Sequence, residues 1–296
     1  MKEHKVSGLS INVPKGSPFT YETPENLPKA HQNTLIIAPR GQGKTTFCIN
    51  LMERMPYDRI FVVSPSIKSN RALMARLKLD DEDIFEDPDD ISCLDQIKEK
   101  IEQERDDLEK YEEDKKKYKQ FLNLLNDDRV AIPDELLLSF YQDGQFQPPT
   151  HKWGGRRPCI AVLFDDCLGS GIFTKGIRKL NAFTIYHRHI AQFQQGGALG
   201  CSLYFLVQSY KAQAGGLSKT IRGNTTSLAV GRTKSKKELE EIAGEIGNEV
   251  SIDEFMNIHK KATEGGKYDF LFIDFHRKDN HPSAFRRNLD TFIIPE

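Results

Sequence analysis

The sequence predicts an α/β fold in which a mostly parallel sheet is covered by helices and interrupted by an acidic, long-helix insertion. Three observations lead there. Short uninterrupted apolar runs recur along the chain and alternate with helical stretches, as expected for parallel strands buried on both faces and joined by crossovers. A Gly-rich turn ending in Gly43-Lys44-Thr45 separates the first apolar run from the first helical stretch. Residues 66–157 then break the alternation with sequence of a different character.

Taken in order, Thr34 to Ala38 is a short apolar run, followed by the Gly-rich turn and by helical spacing over Thr45 to Met55. Arg59 to Val63 reads as a second strand, ended by Ser64-Pro65. Asp80 to Asp90 holds eight carboxylates in eleven positions. Beyond it, with Leu94 as position a, the a sites are Leu94, Ile101, Leu108, Lys115 and Leu122 and the d sites are Ile97, Glu104, Tyr111, Tyr118 and Leu125. Eight of the ten are apolar, which predicts a long amphipathic helix packed along one stripe, against the helical stretch Asp134 to Tyr141 or against another subunit. A Pro-, Gly- and Arg-containing linker, Gln145 to Pro158, returns the chain to strands at Cys159 to Phe164, Ser202 to Val207, Ser227 to Val230 and Tyr268 to Phe275. Helical stretches lie between them at Lys175 to Phe193, Lys236 to Ile246 and Ile252 to Thr263. The expected organisation is a single domain over 1–296 with 66–157 inserted between the second strand and the next.

Composition bounds the function. The 296 residues balance 42 basic against 43 acidic side chains, so a uniformly basic nucleic-acid coat is excluded and any nucleic-acid contact must be local. The five cysteines, at 48, 93, 159, 167 and 201, form no Cys-x-x-Cys pair and suit reduced thiols in an intracellular compartment. Met1 to Gly16 lacks an apolar core, and no apolar run approaches the ~18 residues of a membrane span. A soluble, non-secreted chain is expected. His187, His189, Cys159 and Cys167 fit no zinc spacing.

From Gly43 onward, Ala38-Pro39-Arg40-Gly41-Gln42-Gly43-Lys44-Thr45 matches a P-loop, with Ala38 where the first glycine usually stands. Glycines at 41 and 43 let backbone N–H groups turn inward around phosphate oxygens, and the following helix, through Thr46, offers its free N–H groups and positive end. Lys44 is expected on the β- and γ-phosphates and the Thr45 hydroxyl on Mg²⁺. The loop therefore reads as a nucleoside-triphosphate site with Mg²⁺. A magnesium site needs a second acidic element at the end of a buried strand, and Ile160 to Phe164 delivers Asp165 and Asp166. Asp165 is the expected magnesium partner, and Asp166 is placed to polarise the attacking water. Gln208, at the tip of Ser202 to Val207, can sense the γ-phosphate or orient water.

Lys44, the Asp165-Asp166 pair and Gln208, in this order, resemble the FtsK/HerA-related P-loop ATPases, whose fold is RecA-like. More narrowly they are similar to the poxvirus-type genome-packaging ATPases of large DNA viruses. The resemblance extends through Arg188-His189, Ile221-Arg222-Gly223-Asn224, Ser227 to Val230 and Lys237-Glu238-Leu239. It covers 34–64 and 158–274, about half of the chain. Departures are Ala38, a longer Gly-rich stretch after Arg188, and the insertion, which has no family counterpart.

The resemblance implies a ring-forming motor, hexamer or pentamer, that drives double-stranded DNA without sequence preference into a preformed capsid, docked on a capsid vertex or portal component. It also implies work in the host cytoplasm or a viral factory, with virion association open. An arginine lent by a neighbouring subunit is expected to stabilise transition-state charge, Arg188 being the first candidate and Arg222 the second. The cations available for DNA phosphates are Arg232, Lys234, Lys236 and Lys237, with Arg277, Lys278, Arg286 and Arg287 nearer the C-terminus. A cellular or plasmid DNA translocase, a nucleotide-dependent switch or scaffold, and a small-molecule P-loop kinase stand as alternatives, separated by whether DNA stimulates turnover.

Overall fold

The computed structural model describes residues 21–70, 74–126, 131–142, 145–211, 215–246 and 250–295. The N-terminal stretch read for a targeting signal lies outside them.

Among the described residues, nine strands form one sheet: β1 (Asn33–Ile37), β2 (Arg59–Val63), β3 (Ile84–Phe85), β6 (Ile160–Asp165), β7 (Ser202–Val207), β8 (Ser227–Val230), β9 (Leu271–Asp274), β10 (Phe285–Arg287) and β11 (Thr291–Ile293). The two others, β4 (Tyr141–Gln142) and β5 (Gln145–Phe146), make a small separate hairpin. Across the large sheet the order is β11-β10-β9-β8-β1-β7-β6-β2-β3. From β3 to β8 the pairing is parallel, and β9, β10 and β11 close one edge antiparallel. The expected mixed α/β architecture is present, with β1 and its loop at the centre.

The strands are apolar throughout because both faces are covered. Along β1, Leu35 and Ile37 join one core with Phe61, Val162, Phe164 and Phe205, whereas Ile36 joins the other with Leu163, Leu206 and Phe272. Helix α1 (Lys44–Met52) covers the second face through Phe47, Cys48, Leu51 and Met52. The first face is covered by α2 (Cys93–Leu125), α4 (Ile177–Tyr186), α5 (Lys219–Gly223), α6 (Lys236–Ile246) and α7 (Ile252–Thr263). The short α3 (Asp134–Phe140) packs on α2 instead.

The insertion is tied into this body at one end. β3 extends the sheet beside β2, and Leu94, Ile97 and Ile101 of α2 lie in the main core. Arg59 of β2 is nearly buried and donates to Asp83 at 2.7 Å and to Glu104 at 2.8 Å, while Glu104 also accepts from the Trp153 indole at 2.6 Å. A glutamate at a d site is thus kept as the partner of a buried guanidinium. The far half of α2 departs from the heptad reading. Phe121 is buried with Phe140, Phe146 and Tyr118 around it, while Leu122 and Leu125 are 40% and 42% exposed. Burial at this end therefore follows the aromatic cluster formed with α3 and the small hairpin, not the heptad stripe.

Two further expectations are corrected. The helix read over Lys175 to Phe193 ends at Tyr186 and passes into a 3₁₀ turn, His187–His189, because the chain beyond it must reach positive φ at Ala191, Gly196 and Gly197. Arg286 is no surface cation: it is fully buried, donates to the Asn26 carbonyl and to His281 Nδ1, and sits 4.3 Å from the centroid of the Phe292 ring. β10 runs between two strands, so a side chain that looks outward at an edge is enclosed here. Among the described residues no helix is long and apolar enough to cross a membrane.

Candidate active site

Parallel pairing brings the carboxyl ends of β1, β6 and β7 level. Ile37 stands opposite Val207, Asp165 opposite Leu206, and the Ala38 amide bonds to the Val207 carbonyl at 3.2 Å. The loop leaving β1 turns through Gly41 at φ 75° and Gly43 at φ 85°, left-handed geometry that strains any residue with a Cβ. Gly43 is the N-cap of α1 and provides no side-chain cap, and no acidic residue occupies the first turn. The opening N–H groups of α1 therefore face outward with the positive end of the helix, a ready site for anionic oxygens.

Lys44 folds back over this loop, its ammonium 2.8 Å from the Ala38 carbonyl and 3.4 Å from that of Pro39. Burial holds its pKa below the ordinary range, opposed by the charges of Asp165 and Asp166. Asp165, the last residue of β6, is 4% exposed and accepts from the Thr45 hydroxyl at 3.4 Å. Burial, and then repulsion from Asp166, push its pKa up to about 6 against the pull of Lys44 and Thr45. A nearly buried carboxylate with a hydroxyl beside it and a second carboxylate next in sequence is a set of hard oxygen donors short of positive charge, which fits Mg²⁺.

Asp166 is exposed and held at φ 57°, an unusual setting for a residue other than glycine. Its Oδ1 accepts from Gln208 Nε2 at 3.1 Å. The strand carrying the glutamine lies between the P-loop strand and the strand carrying the acids, so the three signals that were separate in sequence meet in one cleft of about 420 Å³. Arg40, Gly41, Gly43, Lys44, Thr45, Thr46, Asp165, Asp166 and Gln208 line it. Pro39 and Gln42 do not; they line an adjoining hollow together with Gln208, Arg232 and Lys237. Sequence reading missed Ser66, Ser69 and Asn70, which close the cleft from the loop after β2. The available signal was Ser64-Pro65, which ends a strand on the side where open parallel sheets gather ligands.

The two candidate arginines part company. Arg188 lies in the 3₁₀ turn before β7, at the amino end of the strands. Its position is fixed by the backbone: the Cys201 amide donates to the His187 carbonyl at 2.9 Å, and His187 Nδ1 donates to the Cys201 carbonyl at 2.7 Å. Burial lowers the His187 pKa to about 4, so that ring is neutral at physiological pH and serves as a brace. The Arg188 side chain is exposed and makes no ion pair or hydrogen bond among the described residues. Six residues of β7 separate it from Gln208, about 20 Å at the strand rise. Arg222, by contrast, is engaged within its own chain. It pairs with Glu245 at 2.9 Å, donates to the Leu217 carbonyl at 2.6 Å and stands over the Tyr210 ring. Together with the Tyr210 hydroxyl and Lys211 it holds the Glu245 carboxyl down at about 2 despite some desolvation.

Of the cations considered for DNA, Lys234 and Lys237 are exposed around the hollow beside the P-loop, Lys236 is exposed and pairs with Glu240, and Arg232 at the hollow donates to the Thr263 carbonyl. Lys278 is spent on the Thr23 and Pro24 carbonyls. Among the described residues no group of His, Cys, Asp and Glu has the arrangement of a metal cluster, and the five cysteines are free.

No protein-family model matches the sequence, and no curated protein matches it. Solved structures do. One is the monomer form of the pCW3 conjugation coupling protein TcpA with ATPγS, at 15% identity and a TM-score of 0.40, covering 88% of this chain. The chain spans 61% of the length of that protein. Another is the genome packaging NTPase B204 from Sulfolobus turreted icosahedral virus 2 in complex with ATPγS, at 10% identity and a TM-score of 0.35, covering 87% of this chain and 96% of that one.

Proposed function

We propose that the chain is a Mg²⁺-dependent ATPase of the FtsK/HerA type, and that it drives double-stranded viral DNA into a preformed capsid. The observation that carries the ATPase reading is the cleft in which Lys44, Thr45, Asp165, Asp166 and Gln208 converge on the exposed N–H groups of α1. The packaging role rests on the order of motifs that resembles the poxvirus-type packaging ATPases.

In this reading the loop amides and Lys44 bind the β- and γ-phosphates, and Thr45 and Asp165 would hold Mg²⁺, which would supply further positive charge to the triphosphate. Asp166, turned outward by its left-handed backbone, accepts a proton from the attacking water, and Gln208 fixes the orientation of that carboxylate. Arg188 makes no ion pair among the described residues and lies at the opposite end of the sheet, so on this reading it meets a nucleotide only across an interface with a second copy. That geometry fits a ring and gives a lone subunit little activity.

A cellular or plasmid translocase of the same type shares all of these residues. A switch or scaffold shares only the nucleotide site. ATP hydrolysis measured with and without double-stranded DNA of unrelated sequences separates motor from switch: stimulation by any duplex, falling with added salt, is expected. Turnover indifferent to DNA at every protein concentration overturns the motor reading.

A further inference from the structure

A second cavity, of about 780 Å³, opens directly from the phosphate cleft and shares Gly43 and Thr46 with it. It lies on the side of β1 away from Asp165, between α1 and the antiparallel edge. Its walls are Phe47 and Asn50 of α1, Leu27 of the N-terminal segment, Leu289 and Phe292 of the edge, and Tyr268. The acids and Gln208 occupy the other side of the loop, where the terminal phosphate is placed by the reading above. A triphosphate seated on Gly43 to Thr46 with its γ end toward Asp166 points its α end, and whatever is esterified there, into this cavity.

Tyr268 marks the place where that group rests. The residue is 62% exposed, no second aromatic ring packs on it among the described residues, and the Lys267 ammonium stands 5.3 Å from its ring centroid. It stands so close to the loop that a Cβ added at Gly43 would meet Tyr268 Cδ1 at 2.9 Å. An exposed aromatic face at the rim of a phosphate loop, continuous with apolar walls, offers stacking to a flat heterocycle.

The polar groups around it are largely committed. Asn288 Nδ2 donates to Asp269 and its Oδ1 accepts from the Phe270 amide, both at 3.0 Å. Asn50 Nδ2 donates to the Thr46 carbonyl and its Oδ1 accepts from Arg54. Asp290 is the acceptor with capacity to spare, since only the Thr291 hydroxyl is seen on its Oδ1. A pocket of this kind selects by stacking area and shape, and because Asp290 is solvent-exposed a hydrogen bond to it from either purine adds little selectivity beside the stack.

Resting on the nucleotide reading of the P-loop, we infer that this cavity is the nucleobase site, that Tyr268 is its stacking platform, and that it accepts purine nucleotides with little preference between adenine and guanine. Direct binding of ATP, GTP, UTP and inorganic tripolyphosphate to the full chain with Mg²⁺ tests it. ATP and GTP should bind within about threefold of each other, UTP more weakly. Tyr268→Ala should weaken ATP and GTP by about tenfold or more, the scale of one aromatic–base stack, and leave tripolyphosphate unchanged. Tyr268→Phe should restore purine binding. Equal ATP affinity for wild type and Tyr268→Ala, or selectivity of a hundredfold for one purine, overturns the inference while leaving the phosphate site standing. Loss of tripolyphosphate along with ATP in Tyr268→Ala, or an unaltered loss in Tyr268→Phe, overturns it in favour of a structural role. A wild-type chain that binds neither tripolyphosphate nor any nucleotide overturns the P-loop reading itself.

Discussion

The two ends of the parallel sheet are built for different tasks. At the carboxyl end, Lys44, Thr45, Asp165, Asp166 and Gln208 bond to one another or to the loop beneath them, around the left-handed Gly41, Gly43 and Asp166. At the amino end, Lys29, Arg188 and Lys278 line a cavity of about 980 Å³ in which, among the described residues, Glu22 is the one acid. The first end gathers carboxylates around one lysine, and at the second Arg188 makes no ion pair among the described residues. On the proposed reading the two ends complement each other between copies, since β7 keeps them about 20 Å apart in one chain.

The largest effects break that complementarity outright. Lys44→Ala should reduce hydrolysis below detection, because backbone dipoles alone cannot balance the phosphates, and Arg188→Ala should lower turnover by about 10³-fold while ATP still binds. Mixed together, the two variants should regain part of the activity, since some interfaces then pair an intact Lys44 with an intact Arg188. ATPase assays across mixing ratios check this. No recovery at any ratio, with wild-type activity independent of concentration, would leave the basic end without a part in catalysis.

How far these ends could be read in advance depended on whether the chemistry was contiguous. β2, β7, β8, α6 and α7 begin and end where apolar runs and helical spacing place them, and the P-loop is one unbroken string. Ser66, Ser69 and Asn70 were not legible as site residues, because nothing local marks them and only the level alignment of β2 with β1 carries them to the cleft. β10 and β11 were missed for a related reason: three-residue strands, one holding Arg286 and Arg287, have no apolar period of their own and exist because β9 offers an edge. Tyr268, read as the start of a strand, lies before β9 and faces the cavity instead.

A smaller effect separates the two acids. Asp166→Asn should bind Mg-ATP normally and slow hydrolysis by about 100-fold, the scale of one positioned acid–base group. Single-turnover rates at saturating nucleotide measure the step directly. A comparable loss of binding would mean that Asp166, and not Asp165 alone, holds the metal.

The smallest effect concerns stability, and it asks whether the carboxyl end is strained by what it must bind. Asp165 has a pKa of about 6 in the folded chain, above the ~3.9 of an unfolded aspartate. For a raised carboxylate, the stabilising contribution is fully present below the unfolded value and lost as pH rises through the folded one. Between about pH 4 and 6 the native state therefore gives up an advantage, and above that range it carries a buried, ionised carboxylate beside Asp166. Asp165→Asn removes the charge while keeping an acceptor for Thr45. Without nucleotide, the variant should melt about 3 °C or more above wild type at pH 7.5, and the gap should close near pH 4. Mg-ATP should raise the melting temperature of wild type and fail to raise that of the variant. Equal melting temperatures at both pH values would show that water or local adjustment already solvates Asp165, and the two ends of the sheet would then differ in chemistry but not in strain.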